Sequence, residues 1–177
     1  MRLVHRQRQR RGVAAVELGV VFGAVIVPLL LGLWELGRMI EVKQAVSASA
    51  REGARLAAQG FTLNGVGTPT QIRVSTGSPN VRDLVYMDLV AAGFTNLQKS
   101  DVTVTFAFLA PTSTGVWPTE PFQGEKGQPF SLTVSVPWNK LRWVNLGLVN
   151  PSTISSTVTW RMLMDEPFVV DTSLPTW

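Results

Sequence analysis

GVAAVELGVVFGAVIVPLLLGLW, running from Gly12 to Trp34, is apolar throughout except for one carboxylate, Glu17. The 22 residues from Val13 to Trp34 would span about 33 Å as a helix, at a rise of about 1.5 Å per residue. That matches the roughly 30 Å hydrocarbon core of a bilayer. We therefore read 13–34 as a membrane-spanning helix, with Pro28 placing a mild kink in it. Gly19 and Gly23 form a G-x-x-x-G pair that would permit close helix contact. A carboxylate at the centre of such a helix costs about 2.5 to 3.5 kcal/mol on insertion scales. Glu17 is near one end, which lowers the cost but does not explain the residue.

The charges on either side of this stretch are unequal. Residues 1–12 hold Arg2, Arg6, Arg8, Arg10 and Arg11 and no acid. Removing these five from the 16 basic residues leaves 11 against 12 acidic residues, so the rest of the chain is close to neutral despite a formal net charge of +4. A nucleic-acid surface requires a basic patch within the folded domain. Here the basic excess is instead the flank of an apolar span, and it places the N-terminus in the cytoplasm and everything beyond Trp34 on the exported side. No nucleic-acid partner is expected. The chain has no cysteine, and its one histidine, His5, lies in the basic tail. Disulfides, thiolate metal sites, cysteine nucleophiles and a His-based triad in the main domain are excluded for this chain alone. We expect no enzymatic activity, no cofactor and no metal.

Two simpler readings of the apolar stretch remain open on the residues alone. One is an uncleaved signal anchor holding a periplasmic structural protein. The other is a secretory signal cut near AVSASA at Ala45–Ala50, but there the charged Glu35, Arg38, Glu41 and Lys43 separate the apolar run from the site.

A third reading accounts for Glu17. A basic leader ending in Gly12, four apolar residues, Glu17 and a long apolar helix together resemble a type IV prepilin signal. The resemblance implies cleavage between Gly12 and Val13 by a prepilin peptidase, with Glu17 becoming mature residue five. Cutting would create an α-amino group, mostly protonated at neutral pH, at a helix N-terminus where the macrodipole disfavours a cation. Glu17, four residues along on the same face, could meet that amine or the one of an adjacent subunit.

The stretch WELGRMIEVKQAVSASAREGARLAAQG, Trp34–Gly60, is similar to the TadE-like family, minor pilins or pseudopilins of the tight adherence (Tad) pilus system. The family's E-F-G-R-like turn falls on Glu35, Leu36, Gly37 and Arg38. Its A-x-x-A-A-R-E-G-A-R-like segment falls on Ala48, Ala50, Arg51, Glu52, Gly53, Ala54 and Arg55. Leu18 and Leu36 stand where the family commonly has aromatics. The resemblance implies an α+β, pilin-like fold: a leader over 1–12, a long helix over 13–60 and a periplasmic domain over 61–177. It also implies a place in the bacterial inner membrane, other pilin subunits as partners, and a role in pilus assembly, adhesion or associated secretion.

Without the family, Glu35–Gln59 reads as a helix with Leu36, Met39, Ile40, Val46, Ala50, Ala54 and Ala57 near one face and Gly60 at its C-terminal end. Arg51, Glu52 and Arg55 are then either a solvated face or a subunit contact. Arg51 and Arg55 lie together and require a nearby acid.

Beyond Phe61 the composition turns to Thr, Ser, Gly and Pro. Ser78 and Pro79 suit the start of a short amphipathic helix carrying Val81, Leu84, Val85, Asp88, Leu89 and Ala92 before Gly93. Alternation at Val102–Phe108 and Phe130–Val136, and less cleanly at Ile154–Met162, predicts three antiparallel strands. The long connection 110–128 should be mobile or functional, with Trp117 and Phe122 either exposed or folded back on the sheet. Trp138, Trp143 and Trp160 we assign to packing. Asp165, Glu166 and Asp171 fit no calcium-loop spacing, and DTSLP at Asp171 lacks the second Ser of a D-x-S-x-S motif.

Overall fold

A computed structural model of the chain describes residues 3–65, 67–142 and 151–164. Trp143, Asp165, Glu166 and Asp171 lie outside the described residues. Contacts divide the chain into two compact units. The first holds the chain through Glu41, with Arg142 and Pro151. The second begins at Val42 and holds the described residues onward to Leu141 and from Ser152.

In the first unit, α1 (Leu3–Val21) is followed by a π-helical turn (Phe22–Ile26) and then by α2 (Val27–Gln59), whose first residues belong here. The π turn immediately precedes Pro28. Proline has no N–H to give its i−4 carbonyl, and its ring crowds that carbonyl. Widening the preceding turn, so that Val27 N–H bonds back to Phe22 O, relieves both. The irregularity expected at Pro28 thus takes the form of a π turn. From Gly12 to Gln59 one window of 18 residues reaches a mean hydropathy of 2.4 and none of it is buried. Val13, Leu18, Phe22, Leu29 and Leu33 are among the exposed large apolar side chains.

In the second unit, the C-terminal part of α2 buries Val42, Val46, Ser49, Ala50, Ala54, Ala57 and Ala58. Their spacing of three and four residues forms one continuous stripe. Leu36 and Ile40, expected on this face, are exposed at 42% and 57%. Helical angle does not separate them, since each lies five whole turns before Ala54 or Ala58, which are buried; Leu36 and Ile40 precede Val42, where α2 enters the second unit and its core.

Gly60 ends the helix at φ +67°, a conformation that glycine adopts without strain. A hairpin of β1 (Phe61–Leu63) and β2 (Pro69–Gln71) follows; its short strands had no clear alternation to announce them. Helix α3 (Val81–Ala91) buries Val81, Val85 and Leu89. Its N-cap is Asn80, whose Oδ1 accepts the Asp83 N–H at 2.8 Å. The expected Ser78–Pro79 start therefore lies two residues too early, because the Asn side chain supplies the capping oxygen.

The sheet has the order β3–β4–β5, all antiparallel, from β3 (Thr103–Phe108), β4 (Pro129–Pro137) and β5 (Thr153–Arg161). Phe108, Phe130, Leu132, Val134, Val136 and Ile154 are buried on its inner face. Phe106 packs edge-on against Phe108, with ring centres 4.9 Å apart. The outer face carries Thr103, Thr105, Ser131, Thr133, Ser135, Ser155 and Thr157, and a Thr133–Thr157 hydroxyl bond of 2.8 Å crosses it. A one-turn helix, α4 (Trp138–Leu141), closes β4 with Trp138 fully buried.

The connection 110–128 is tied down. Gln128 Nε2 donates to Ala110 O at 2.7 Å, and Glu125 accepts from the Ser113 N–H and hydroxyl at 2.7 and 2.8 Å. Glu120 accepts the Val74 N–H at 2.8 Å. Phe122 is half-buried against Phe61, under the Arg73 guanidinium, while Trp117 remains 60% exposed.

Candidate processing and assembly site

The residues singled out at the leader junction stand on one face of α1. Gly12, Val13, Val16 and Glu17 line a shallow groove open to the surroundings, and a methyl group added at Gly12 would meet nothing within 4 Å. Glu17 is exposed, one helical turn beyond Val13 and on the same side. The described residues thus leave both the Gly12–Val13 bond and the Glu17 carboxylate accessible.

One span further on, the first signature cluster splits. Gly37 is exposed with open space around it, and Arg38 donates from Nη1 to Glu41 Oε2 at 2.7 Å. Glu35 is only 4% exposed, and neither of its carboxylate oxygens has a hydrogen-bond partner among the described residues.

The second cluster, Arg51–Arg55, is divided by what each residue faces. Gly53 points inward: a Cβ there would come within 2.8 Å of Val85 Cγ2 and 3.2 Å of both Val81 Cγ1 and Leu132 Cδ2. The glycine therefore lets α2 approach α3 and β4 closely, a packing role that its neighbours in sequence gave no sign of. Arg51, Glu52 and Arg55 point outward. The acid required near the two arginines is Glu52, paired with Arg55 at 2.5 Å. That hydrogen bond holds the Glu52 carboxyl below its ordinary range against the opposing effect of partial burial. Glu52 also faces α3, where burial first and the Glu52 charge second push Asp88 up. Arg51 is exposed with no ion-pair partner among the described residues. Sequence reasoning missed Asp88 in this setting, since only the tertiary approach of α3 to α2 brings the two acids together.

An accessible glycine junction, a carboxylate one turn on, and a close-packed R-E-G-A-R helix are now all in place. Residues 12–55 match the TadE-like protein family model. The comparisons with curated proteins and with solved structures gave no match. The TadE-like match bears out the resemblance drawn from the residues. It begins at Gly12 and ends at Arg55, so it takes in the junction, the apolar helix and both clusters. TadE-like proteins are pilin-like, Tad pilus-associated and structural in kind, and the long apolar helix is in keeping with a membrane anchor. Among the described residues, no group of three or more His, Cys, Asp or Glu could hold a metal ion.

Proposed function

We infer that this protein is a minor pilin of a Tad-type pilus, made as a precursor that a prepilin peptidase cuts between Gly12 and Val13. Residues 1–12 are the leader, 13–60 the long helix and 61–177 the periplasmic domain. The N-terminus faces the cytoplasm before cleavage. The observation that carries this reading is the TadE-like match starting at Gly12, with Glu17 one turn away on an exposed apolar helix.

Cleavage removes the Arg-rich tail that holds the chain end at the cytoplasmic face, and it leaves an ammonium at Val13. Glu17 offsets that charge, and the helix can move from the bilayer into a filament of similar helices. Other pilin-like subunits are the partners, and pilus assembly is the process served. A variant Glu17→Ala should be cleaved at the normal site but should not enter pili, as judged by immunoblotting of sheared pili against membranes. Incorporation at the wild-type level would contradict the role given to Glu17.

A further inference from the structure

The outer face of the β3–β4–β5 sheet has an unusual composition. By the strand register, its positions are Thr103, Thr105 and Ala107 on β3, the odd-numbered residues from Pro129 to Pro137 on β4, and the odd-numbered residues from Thr153 to Arg161 on β5. Ser or Thr fills two of the three on β3, three of the five on β4 and four of the five on β5. All are exposed or half-buried. None is acidic, and the one charged residue among them is Arg161. A solvated surface ordinarily carries charges of both signs on about a quarter to a third of its residues, so solvation alone does not account for this face.

The register sets the hydroxyls in rows across the strands, Thr103, Ser135 and Ser155 in one and Thr105, Thr133 and Thr157 in the next. Neighbours stand about 5 Å apart across the strands and about 7 Å apart along them. Thr133 and Thr157 satisfy each other at 2.8 Å, and Ser131 Oγ donates to Ala107 O at 3.4 Å. The hydroxyls of Thr103, Thr105, Ser135, Ser155 and Thr159 have no hydrogen-bond partner among the described residues. At one end the face opens into a cleft of about 380 Å³, lined by Leu109, Pro129, Thr159, Trp160 and Arg161. Arg161 Nη1 donates to Gly127 O at 3.2 Å, which holds the guanidinium there and leaves its other N–H groups open. Toward the other end of β5, the Lys43 ammonium donates to Ser155 O.

We propose that this outer face is a binding site for an acidic polysaccharide, whose hydroxyls meet the Ser and Thr rows and one of whose carboxylates meets Arg161. Charge favours an anion, because cations stand toward both ends of β5 and no acid stands on the face. Hydroxyl rows favour a sugar, because each hydroxyl both donates and accepts and so matches a partner of the same kind. A peptide strand is not favoured: β4 is bonded on both sides, and the face offers an added chain no backbone groups. Nor is a folded protein surface, whose interface core is apolar and would meet hydroxyls over most of this area. Leu109, 53% exposed, and Pro129 supply the one apolar patch, beside the guanidinium, against which the C–H face of a sugar ring packs. The inference goes beyond the pilin reading and draws on the second unit alone.

The test is a titration of the full chain in detergent with hexagalacturonate, a linear uronic acid oligomer, and with the same oligomer methyl-esterified at its carboxyls, each followed by backbone amide NMR. Hexagalacturonate should shift the amides of Thr105, Thr133, Thr157 and Thr159. The ester should shift the same amides with at least about tenfold weaker affinity, since it forms no charge-assisted bond to Arg161. Arg161→Gln should abolish that preference. Thr105→Val combined with Thr159→Val keeps the side-chain shape, suits exposed strand positions and removes two unpartnered hydroxyls; it should weaken both oligomers at least about fivefold. The comparison of acid with ester on the wild-type chain needs no variant to fold. No shift at millimolar hexagalacturonate, or equal affinity for the ester, would overturn the proposal. So would affinity that Arg161→Gln lowers and the valine pair leaves unchanged, because that is ion pairing at one arginine. Loss of binding in the assembled state recovered from native membranes would assign the face to a partner protein and likewise overturn it. A chain still carrying residues 1–12 that binds the acid supports this inference without the pilin reading, whereas a chain cut at Val13 that does not bind defeats this inference alone.

Discussion

Two parts of α2 bear opposite relations to their surroundings. Before Glu41 the helix displays large apolar side chains, with Leu29, Leu30, Leu33 and Trp34 exposed. After Val42 it buries small ones, chiefly alanines and Gly53, and turns Arg51 and Arg55 outward. Apolar content therefore does not predict burial within the protein. The first part is built from side chains that suit a lipid or a neighbouring helix as solvent. The second is built to let a helix lie close to a sheet and to α3, where each added methyl would have to displace something.

This contrast is most easily broken at Gly53. Gly53→Val should destabilise the second unit by about 3 kcal/mol or more, since overpacking is compounded by a branched side chain against Val85 and Leu132. Denaturant unfolding of the full chain in detergent, followed by near-UV circular dichroism, would measure it. A smaller and more telling comparison uses one substitution twice. Gly53→Ala gains about 1 kcal/mol in helix propensity but loses about 1–3 kcal/mol to crowding, so it should lower stability by about 1 kcal/mol. Gly37→Ala meets nothing within 4 Å and should leave the same transition unmoved. An equal response at both positions would mean that the two parts of α2 do not differ as described.

Asn80→Ala removes the cap of α3 and should cost about 1 kcal/mol. The smallest effects are electrostatic. Burial pushes Asp83 up, but the hydrogen bonds from Lys99 and Asn80 and the charges of Lys99 and Arg82 outweigh it and leave the carboxyl low. Glu52 is low as well, through Arg55. A carboxyl lowered on folding contributes stability that is complete above its unfolded value, 3.8 for Asp83 and 4.5 for Glu52. That contribution is lost as pH falls through the folded value. Asp88 has the opposite sign: raised on folding, its ionisation costs stability at neutral pH. Asp88→Asn should therefore raise the unfolding midpoint slightly at pH 7, by under about 1 kcal/mol after solvent screening, and have no effect below its unfolded value of 3.8. Titration of the midpoint for both proteins would check the sign.

Much of this was legible in the sequence because it rests on period. The apolar run at 13–34, the alternation at Val102–Phe108 and Phe130–Val136, and the three-and-four spacing after Val46 each give the matching element. What the sequence concealed depends on neighbours distant in the chain. Nothing local separates Gly37 from Gly53, yet one faces open space and the other Val85. Leu36 and Ile40 looked like core residues because they are apolar and share the angle of Ala54 and Ala58, and only the start of the second unit at Val42 shows that the packed stripe begins after them. The site proposed at Gly12–Glu17 was suggested by the sequence for the opposite reason: the chemistry it would serve needs only two residues at a fixed helical spacing and access from outside.

The mass of the N-terminal peptide of the protein taken from its native membrane tests the central claim most directly. The account predicts a mature chain beginning at Val13, with Glu17 as its fifth residue. A chain beginning at Met1 or Arg2, or near Ser49 or Arg51, would contradict it.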